Sequence, residues 1–321
     1  MPSLSGKTFV AMGEDLAAYG FPGGHPFDRF RHVAFAQGLE NADLLSEIVV
    51  TEPVRALPED LYSFHTREYV SLVQEKSLTG QGYLDGGDTP AFLGVYEAAA
   101  TVAGTALNLL ERVLSTEHTN AFLPIGGLHH ARRDSASGFC VFNDCGIVIE
   151  KLFQKGFRRV AYIDIDAHHG DGVYYSFEGN PHLIFADLHE GGIYPGTGSS
   201  TETGAGEAKG KKLNIPVPAG ARDEVFFHEW QKIENFVDAQ SPDFILLQCG
   251  CDSIAGDPIT SLSFTFAAHQ YAAERLKALA EKHCHGRLIA FGGGGYNKKN
   301  ISIVWPKVVS ALTSHADPLT T

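Results

Sequence analysis

The chain has 321 residues, is 44% hydrophobic, and sets 25 Lys and Arg against 38 Asp and Glu for a formal charge of −13. That length suits one to three domains with a sizeable core. The acidic balance argues against nonspecific nucleic-acid binding, whose phosphates demand Lys and Arg, and leaves room for a cationic partner such as a Lys-rich peptide or a polyamine.

Apolar, β-branched runs recur along the chain. The first strand is expected over Thr8–Met12, followed by an Ala- and Leu-rich helix over Ala91–Leu114 and a strand over Ala121–Ile125. Strands over Val160–Ile165 and Leu183–Leu188 come next, then a loop rich in Gly, Ser and Thr over Gly191–Gly210. That loop reads either as a flexible insertion or as a rim loop over a pocket; following a strand end directly, it favours the rim. A helix over Glu224–Ala239, a strand over Phe244–Gln248, a helix over Phe266–His283 and a strand over Leu288–Phe291 complete the pattern. The strands are continuous rather than alternating, as expected when both faces are covered. Strand and helix in alternation imply a parallel sheet with helices on both sides. No repeat and no linker divides the chain, so residues 1–321 read as one domain.

No apolar run approaches the ~20 residues that span a bilayer, and Met1–Lys7 lacks the features of a leader. The five cysteines (Cys140, Cys145, Cys249, Cys251, Cys284) are odd in number and form no C-x-x-C. Neither a disulfide framework nor a thiolate zinc site is suggested, and a reducing cytoplasm is the expected setting.

Polar residues gather just after the strands. Gly-Gly-Leu-His-His, Asp-Ala-His-His, His-Glu-Gly-Gly, Cys-Gly-Cys-Asp and Gly-Gly-Gly-Gly-Tyr each follow one. Open parallel sheets bind ligands outside the carboxyl ends of their strands, so these segments converge on one rim. The densest is Tyr-Ile-Asp-Ile-Asp-Ala-His-His-Gly-Asp-Gly at 162–172. Side chains at i and i+2 of an extended chain share a face, so Asp166 and His168 can aim at one divalent metal. Asp252 supplies a third ligand, and a set of three leaves a position open for water or substrate. Oxygen and nitrogen donors without thiolate suit Zn²⁺, Mn²⁺ or Fe²⁺. The bland alternative is that these groups cap a helix or pair with each other.

Asp164 and Asp171 are then spare, as are His129 and His130. Two spare carboxylates for two spare imidazoles suggest two His–Asp dyads, suited to taking a proton from water and giving one to a leaving amine. Tyr296, after Gly292–Gly295, offers a hydroxyl to an oxyanion. The glycines match neither a P-loop nor a dinucleotide fingerprint, and G-x-S-x-G is absent.

Five segments in order now carry a resemblance: Gly-Gly-Leu-His-His-Ala-Arg-Arg-Asp-Ser-Ala-Ser-Gly-Phe-Cys-Val-Phe-Asn-Asp (126–144), Asp-Ile-Asp-Ala-His-His-Gly-Asp-Gly (164–172), Tyr-Pro-Gly-Thr-Gly (194–198), Cys-Asp-Ser-Ile-Ala-Gly-Asp-Pro (251–258) and Gly-Gly-Gly-Gly-Tyr-Asn (292–297). The chain resembles the zinc-dependent histone deacetylases, a family that includes acetoin-utilisation-type deacetylases and acetylpolyamine amidohydrolases. The resemblance implies an arginase-like α/β domain around a parallel sheet of roughly eight strands. It implies hydrolysis of N-acyl-lysine amides in peptides or proteins, with Zn²⁺ on Asp166, His168 and Asp252. His130 with Asp171 would be base and acid, His129 with Asp164 would stand beside it, and Tyr296 would donate to the acyl oxygen. Gly138 and Phe139 would form one channel wall and Tyr194 the other, with Cys140 in the inner acetate pocket. Asp88 would be a rim carboxylate, Arg31 would lie near a product exit, and His65 would be structural. K⁺ would bind through Asp164 and carbonyls near Asp166, His168 and Leu188, where Asp187 replaces a usual Ser. Ile193 replaces a common aromatic. Ile259 stands where polyamine-selective relatives carry Glu, which favours acyl-lysine over acetylpolyamine, the alternative substrate.

Overall fold

Every strand of the sheet runs in the same direction. In chain order the strands are β1 (Thr8–Ala11), β2 (Ile48–Thr51), β3 (Asn120–Leu123), β4 (Val160–Asp164), β5 (Leu183–Glu190), β6 (Lys212–Val217), β7 (Phe244–Gln248) and β8 (Leu288–Phe291). Side by side they form one eight-stranded sheet in the order β2-β1-β3-β8-β7-β4-β5-β6, each pairing parallel. The helices are α1 (Glu14–Ala17), α2 (Phe30–Asn41), α3 (Pro58–Leu61), α4 (Arg67–Thr79), α5 (Val95–Ser115), α6 (Asp144–Gln154), α7 (Asp171–Ser176), α8 (Asp223–Gln240), α9 (Phe266–His283) and α10 (Lys298–Thr313). This computed structural model describes residues 7–116 and 119–313. The leader reading of Met1–Lys7 falls almost wholly on residues 1–6, outside the described residues.

The continuous apolar runs have a direct structural reading. Alternate residues of one strand feed two separate cores. In β4, Val160 and Tyr162 join the core under α4, α5 and α6, while Ala161 and Ile163 join the core under α2, α8, α9 and α10. β8 divides the same way, Ile289 and Phe291 against Leu288 and Ala290. A strand buried on both faces has no polar face to display, so no alternation marks it. The result is a single α/β domain with helices on both faces, as expected.

The differences lie at the edges. β2 and β6 were not among the expected strands. β2 is an edge strand whose middle is only partly covered, with Val50 47% exposed. β6 reads Lys-Leu-Asn-Ile-Pro-Val, two polar residues and an internal Pro, a composition that suits an edge strand. The helix expected from Ala91 begins at Val95, because Gly94 takes a left-handed turn (φ 85°) immediately before it.

Candidate active site

β4 and β7 are neighbours in register, Asp164 opposite Gln248. The residues just beyond each strand therefore meet at the same rim. Asp166 and His168 leave β4 there, and Asp252 sits on one 3₁₀ turn after β7. Their ligand atoms all lie within 4.8 Å of one another, the one such group of three His, Cys, Asp or Glu donors among the described residues. His168 Nδ1 is 3.1 Å from Asp166 Oδ1 and 3.1 Å from Asp252 Oδ2. Main chain and amide lock the carboxylates: Ala167 N–H donates to Asp252 (2.9 Å), and Asp166 Oδ2 accepts from Gln248 Nε2 and Gly294 N, both at 2.8 Å. Burial, reinforced by the Asp166 charge, pushes Asp252 up to about 7. Two carboxylates and an imidazole in so dry a place are a fitting donor set for a divalent cation of borderline softness such as Zn²⁺.

The His129–His130 turn follows β3 and is held from below. Asp144, at the start of α6, accepts from Gly127 N (2.9 Å) and Leu128 N (2.8 Å). Asn143 caps α6 through Gly146 N and donates to Ala131 O at 2.8 Å. The two imidazoles stand 4.1 Å apart, ring to ring. His129 Nδ1 meets Asp164 Oδ2 at 2.8 Å, and His130 Nδ1 meets Asp171 Oδ1 at 2.7 Å. Their charges are driven apart. Burial would lower His129, yet the Asp164 and Asp166 charges raise it to about 10. Burial and then the His129 charge lower His130 to about 4, against the pull of Asp171. At neutral pH, His130 is the imidazole able to accept a proton.

Tyr296 follows the glycine turn. Asp257 fixes its backbone by accepting from Tyr296 N (2.7 Å) and Asn297 N (3.2 Å). Burial, together with the Asp252 and Asp166 charges, pushes its phenol well above the usual range, so it remains a donor. Behind it the fully buried Arg31 donates to Gly295 O (2.8 Å) and Gly293 O (2.5 Å) and stacks 3.9 Å over Phe27.

One pocket gathers His129, His130, Asp166, His168, Cys140, Gly138 and Tyr296 in its lining. Gly138 needs to be glycine: its φ is 52°, and a Cβ would lie 2.5 Å from the His130 ring and 3.0 Å from that of Tyr194. The Tyr194 ring lies 5.2 Å from His130, and Phe139 lies 5.8 Å from Tyr296. The hydroxyls of Ser137 and Tyr194 hydrogen-bond to each other at 2.5 Å. Of the expected rim loop, Tyr194 alone faces the pocket rings; Gly198 and Ser199 are tied back to Glu202.

Other expected residues stand apart from the pocket lining. Asp88 is exposed, and burial on one side plus the Asp85 charge raises it to about 6. Ile259 is exposed on the loop that Asp257 ties to Tyr296. Ile193, next to Tyr194, is partly buried. Asp187 pairs across the sheet with Asp164, its carboxylate engaged by His189 Nδ1 (2.7 Å) and Gly170 N (2.8 Å), and Leu188 is buried in the core. His65 is buried and accepts from Asn143 N at 2.9 Å.

Gln248, Asp257 and Asp144 escaped the sequence reading. Gln248 had a visible signal, a polar residue closing the apolar run of β7. The aspartates lay inside quoted motifs without a role.

Known proteins share this chain's sequence and fold. The histone deacetylase domain family matches residues 25–312. A probable deacetylase of Archaeoglobus fulgidus is 40% identical over 254 residues, 78% of this chain and 70% of that protein. The acetoin utilization protein AcuC of Bacillus subtilis is 36% identical over 292 residues, covering 87% and 75%. Among solved structures, the HDA15 HD domain superposes with a TM-score of 0.90 at 27% identity, over 98% of this chain and 90% of that one. The chain belongs to the histone deacetylase family.

Proposed function

We propose that this deacetylase hydrolyses N-acetyl-lysine amides in peptides or proteins, releasing acetate and free lysine. The observation that carries the reading is one pocket lined by His130, which Asp171 backs at 2.7 Å, by Tyr296, and by Asp166 and His168 of the Asp166–His168–Asp252 donor group. Asp166, His168 and Asp252 would hold Zn²⁺, which when bound supplies a Lewis acid and brings the pKa of water down towards neutrality.

The chain's own groups do the rest. Asp171 accepts from Nδ1 of His130 and fixes the tautomer that leaves Nε2 free. Nε2 takes the proton of the attacking water and returns it to the departing lysine amine. The Tyr296 hydroxyl donates to the acyl oxygen as negative charge grows there. His129, held by Asp164, keeps a positive charge beside His130 and so holds down its basicity. Gly138 and Phe139 form one wall of the acyl-lysine channel and Tyr194 the other, with Cys140 at the acetate end.

Asp88 grips the substrate backbone at the mouth, and Ile259 offers no carboxylate to a second amine, which favours acyl-lysine over acetylpolyamine. The buried carboxylates Asp164 and Asp187, side by side, support a monovalent cation such as K⁺ near Asp166, His168 and Leu188. Five buried, unpaired cysteines support a reducing cytoplasm. We take residues 1–321 as one deacetylase domain, since a single sheet runs through the whole described chain.

The test is turnover of acetyl-lysine peptides against acetylspermidine, by enzyme stripped of metal and reloaded with Zn²⁺. The expected result is zinc-dependent release of acetate, faster from the peptides. Preference for acetylspermidine would move the assignment to polyamines, and no release from any peptide by reloaded enzyme would overturn it.

A further inference from the structure

We propose that a groove on the same rim binds the stretch of substrate flanking the acyl-lysine and selects a Lys or Arg side chain there; the proposal deepens the acyl-lysine reading and rests on it. The groove holds about 880 Å³. It lies beyond the carboxyl end of β1, lined by the start of α1, by Gly20–Gly24 and Asp28–Phe30, and by Gly80 with Ala91–Leu93. Its walls are apolar. Phe21 and Ala91 are buried within it, while Leu93 and Phe30 are 72% and 56% exposed at its lips. Gly80 builds the Leu93 wall: at φ 63° it ends α4, and a Cβ there would lie 2.6 Å from Leu93 N.

The charge at the groove is mainly negative. Glu14 and Asp15 open α1, both exposed, and Asp28 joins them. Asp28 is engaged by Lys298 Nζ at 2.8 Å, so Glu14 and Asp15 are the carboxylates open to an incoming cation. Arg29 is the one cation on the lining.

One imidazole touches both this groove and the acyl-lysine channel. The His25 ring packs 4.7 Å from Phe21, on the groove side, and 4.5 Å from Phe139, the channel wall. Its Nε2 hydrogen-bonds the rim residue Asp88 through the carbonyl oxygen at 3.3 Å. Extended chain advances roughly 3.3 Å per residue, so a substrate with its acyl-lysine in the channel lays a side chain two to four residues away over the groove. A Lys or Arg stem suits the Phe and Leu walls while its head reaches water and the two carboxylates. A neutral or acidic side chain leaves those carboxylates unmatched.

Short fluorescent acetyl-lysine peptides that differ only at the positions two to four residues from the acyl-lysine, carrying Arg, Ala or Glu there, provide the probe. Binding is read by anisotropy, and kcat and KM are read separately, on wild type, on Glu14→Gln/Asp15→Asn and on Glu14→Lys/Asp15→Lys, with melting temperatures to establish folding. Two surface pairings predict an Arg peptide bound about five-fold more tightly than the Ala peptide, with Glu weakest. The difference should appear in KM rather than kcat, shrink in roughly 1 M salt, and vanish in both charge variants. Equal affinities across the peptides in wild type, or a preference that survives both variants, would overturn the proposal. Flank-dependent binding without turnover keeps the groove and removes the hydrolytic reading. Turnover without flank dependence does the reverse.

Discussion

Gln248 ties two halves of the site with one amide. Its Nε2 donates to Asp166 Oδ2 at 2.8 Å and reaches Gly127 O at 3.3 Å, while its Oε1 accepts from Gly250 N at 2.7 Å. Gln248→Leu removes all three contacts and leaves Asp166 short of a partner. Outer partners of metal ligands are worth about 10–100-fold in metal affinity, so Zn²⁺ competition against a fluorescent chelator should weaken by that factor; an unchanged affinity would show that Asp166 needs no such support. Tyr296→Phe should lower kcat about 10²–10³-fold with little change in KM, as loss of an oxyanion donor does; steady-state kinetics on an acetyl-lysine peptide decide it. Gly138→Ala should cost activity through the His130 ring its methyl meets and stability through a left-handed backbone, the latter about 1–3 kcal/mol, measurable by denaturant unfolding. That Asp166, His168 and Asp252 gather, and that each of the two histidines meets a carboxylate, was legible in sequence because chemistry concentrates such residues in short motifs. Gln248 and Asp257 were not: their work is to hold another residue's atoms, and which atoms those are depends on a neighbour 82 positions away or 39.

Among elements, β7, β8 and α9 begin and end where their sequences predict. Burial on both faces makes such strands uniformly apolar, and that uniformity is a strong signal. The edge strands lack it, since one side of each meets solvent or loop. The connection from α3 to α4 carries a different kind of information. His65 sits there, buried, and accepts from the backbone of Asn143, the residue that caps α6 and braces the His129–His130 turn. Burial lowers this imidazole to about 3. Below its ordinary value of 6.5 the unfolded chain takes up a proton that the folded chain refuses, so stability falls as pH drops from 6.5 towards 3 and is unaffected by this group above 6.5. His65→Gln keeps an acceptor and removes the titration. Its melting temperature relative to wild type should therefore rise as pH is lowered through that window; a constant difference would mean the imidazole carries no such penalty.

At the scale of the molecule, the candidate metal donors come from the loops after β4 and β7, the histidines from the loop after β3 and the tyrosine from the loop after β8, four strands that lie together at the centre of the sheet. Buried acids packed this closely repel one another, so a cation binding only the folded state stabilises it by mass action, roughly 4 kcal/mol at a thousandfold excess over Kd. Chelation should lower the melting temperature and added Zn²⁺ restore it, with differential scanning calorimetry as the readout; a melting point indifferent to both would separate these donors from any metal.

Order along the chain and order across the sheet diverge most at β8. β8 lies between β3 and β7, and until it inserts there, β2-β1-β3 and β7-β4-β5-β6 are two ribbons with no strand pairing between them. A ribosome-bound chain released only as far as α9 thus carries its ligands and its histidines on separate pieces. The two halves of the candidate site would come into register only when one short apolar segment closes the seam.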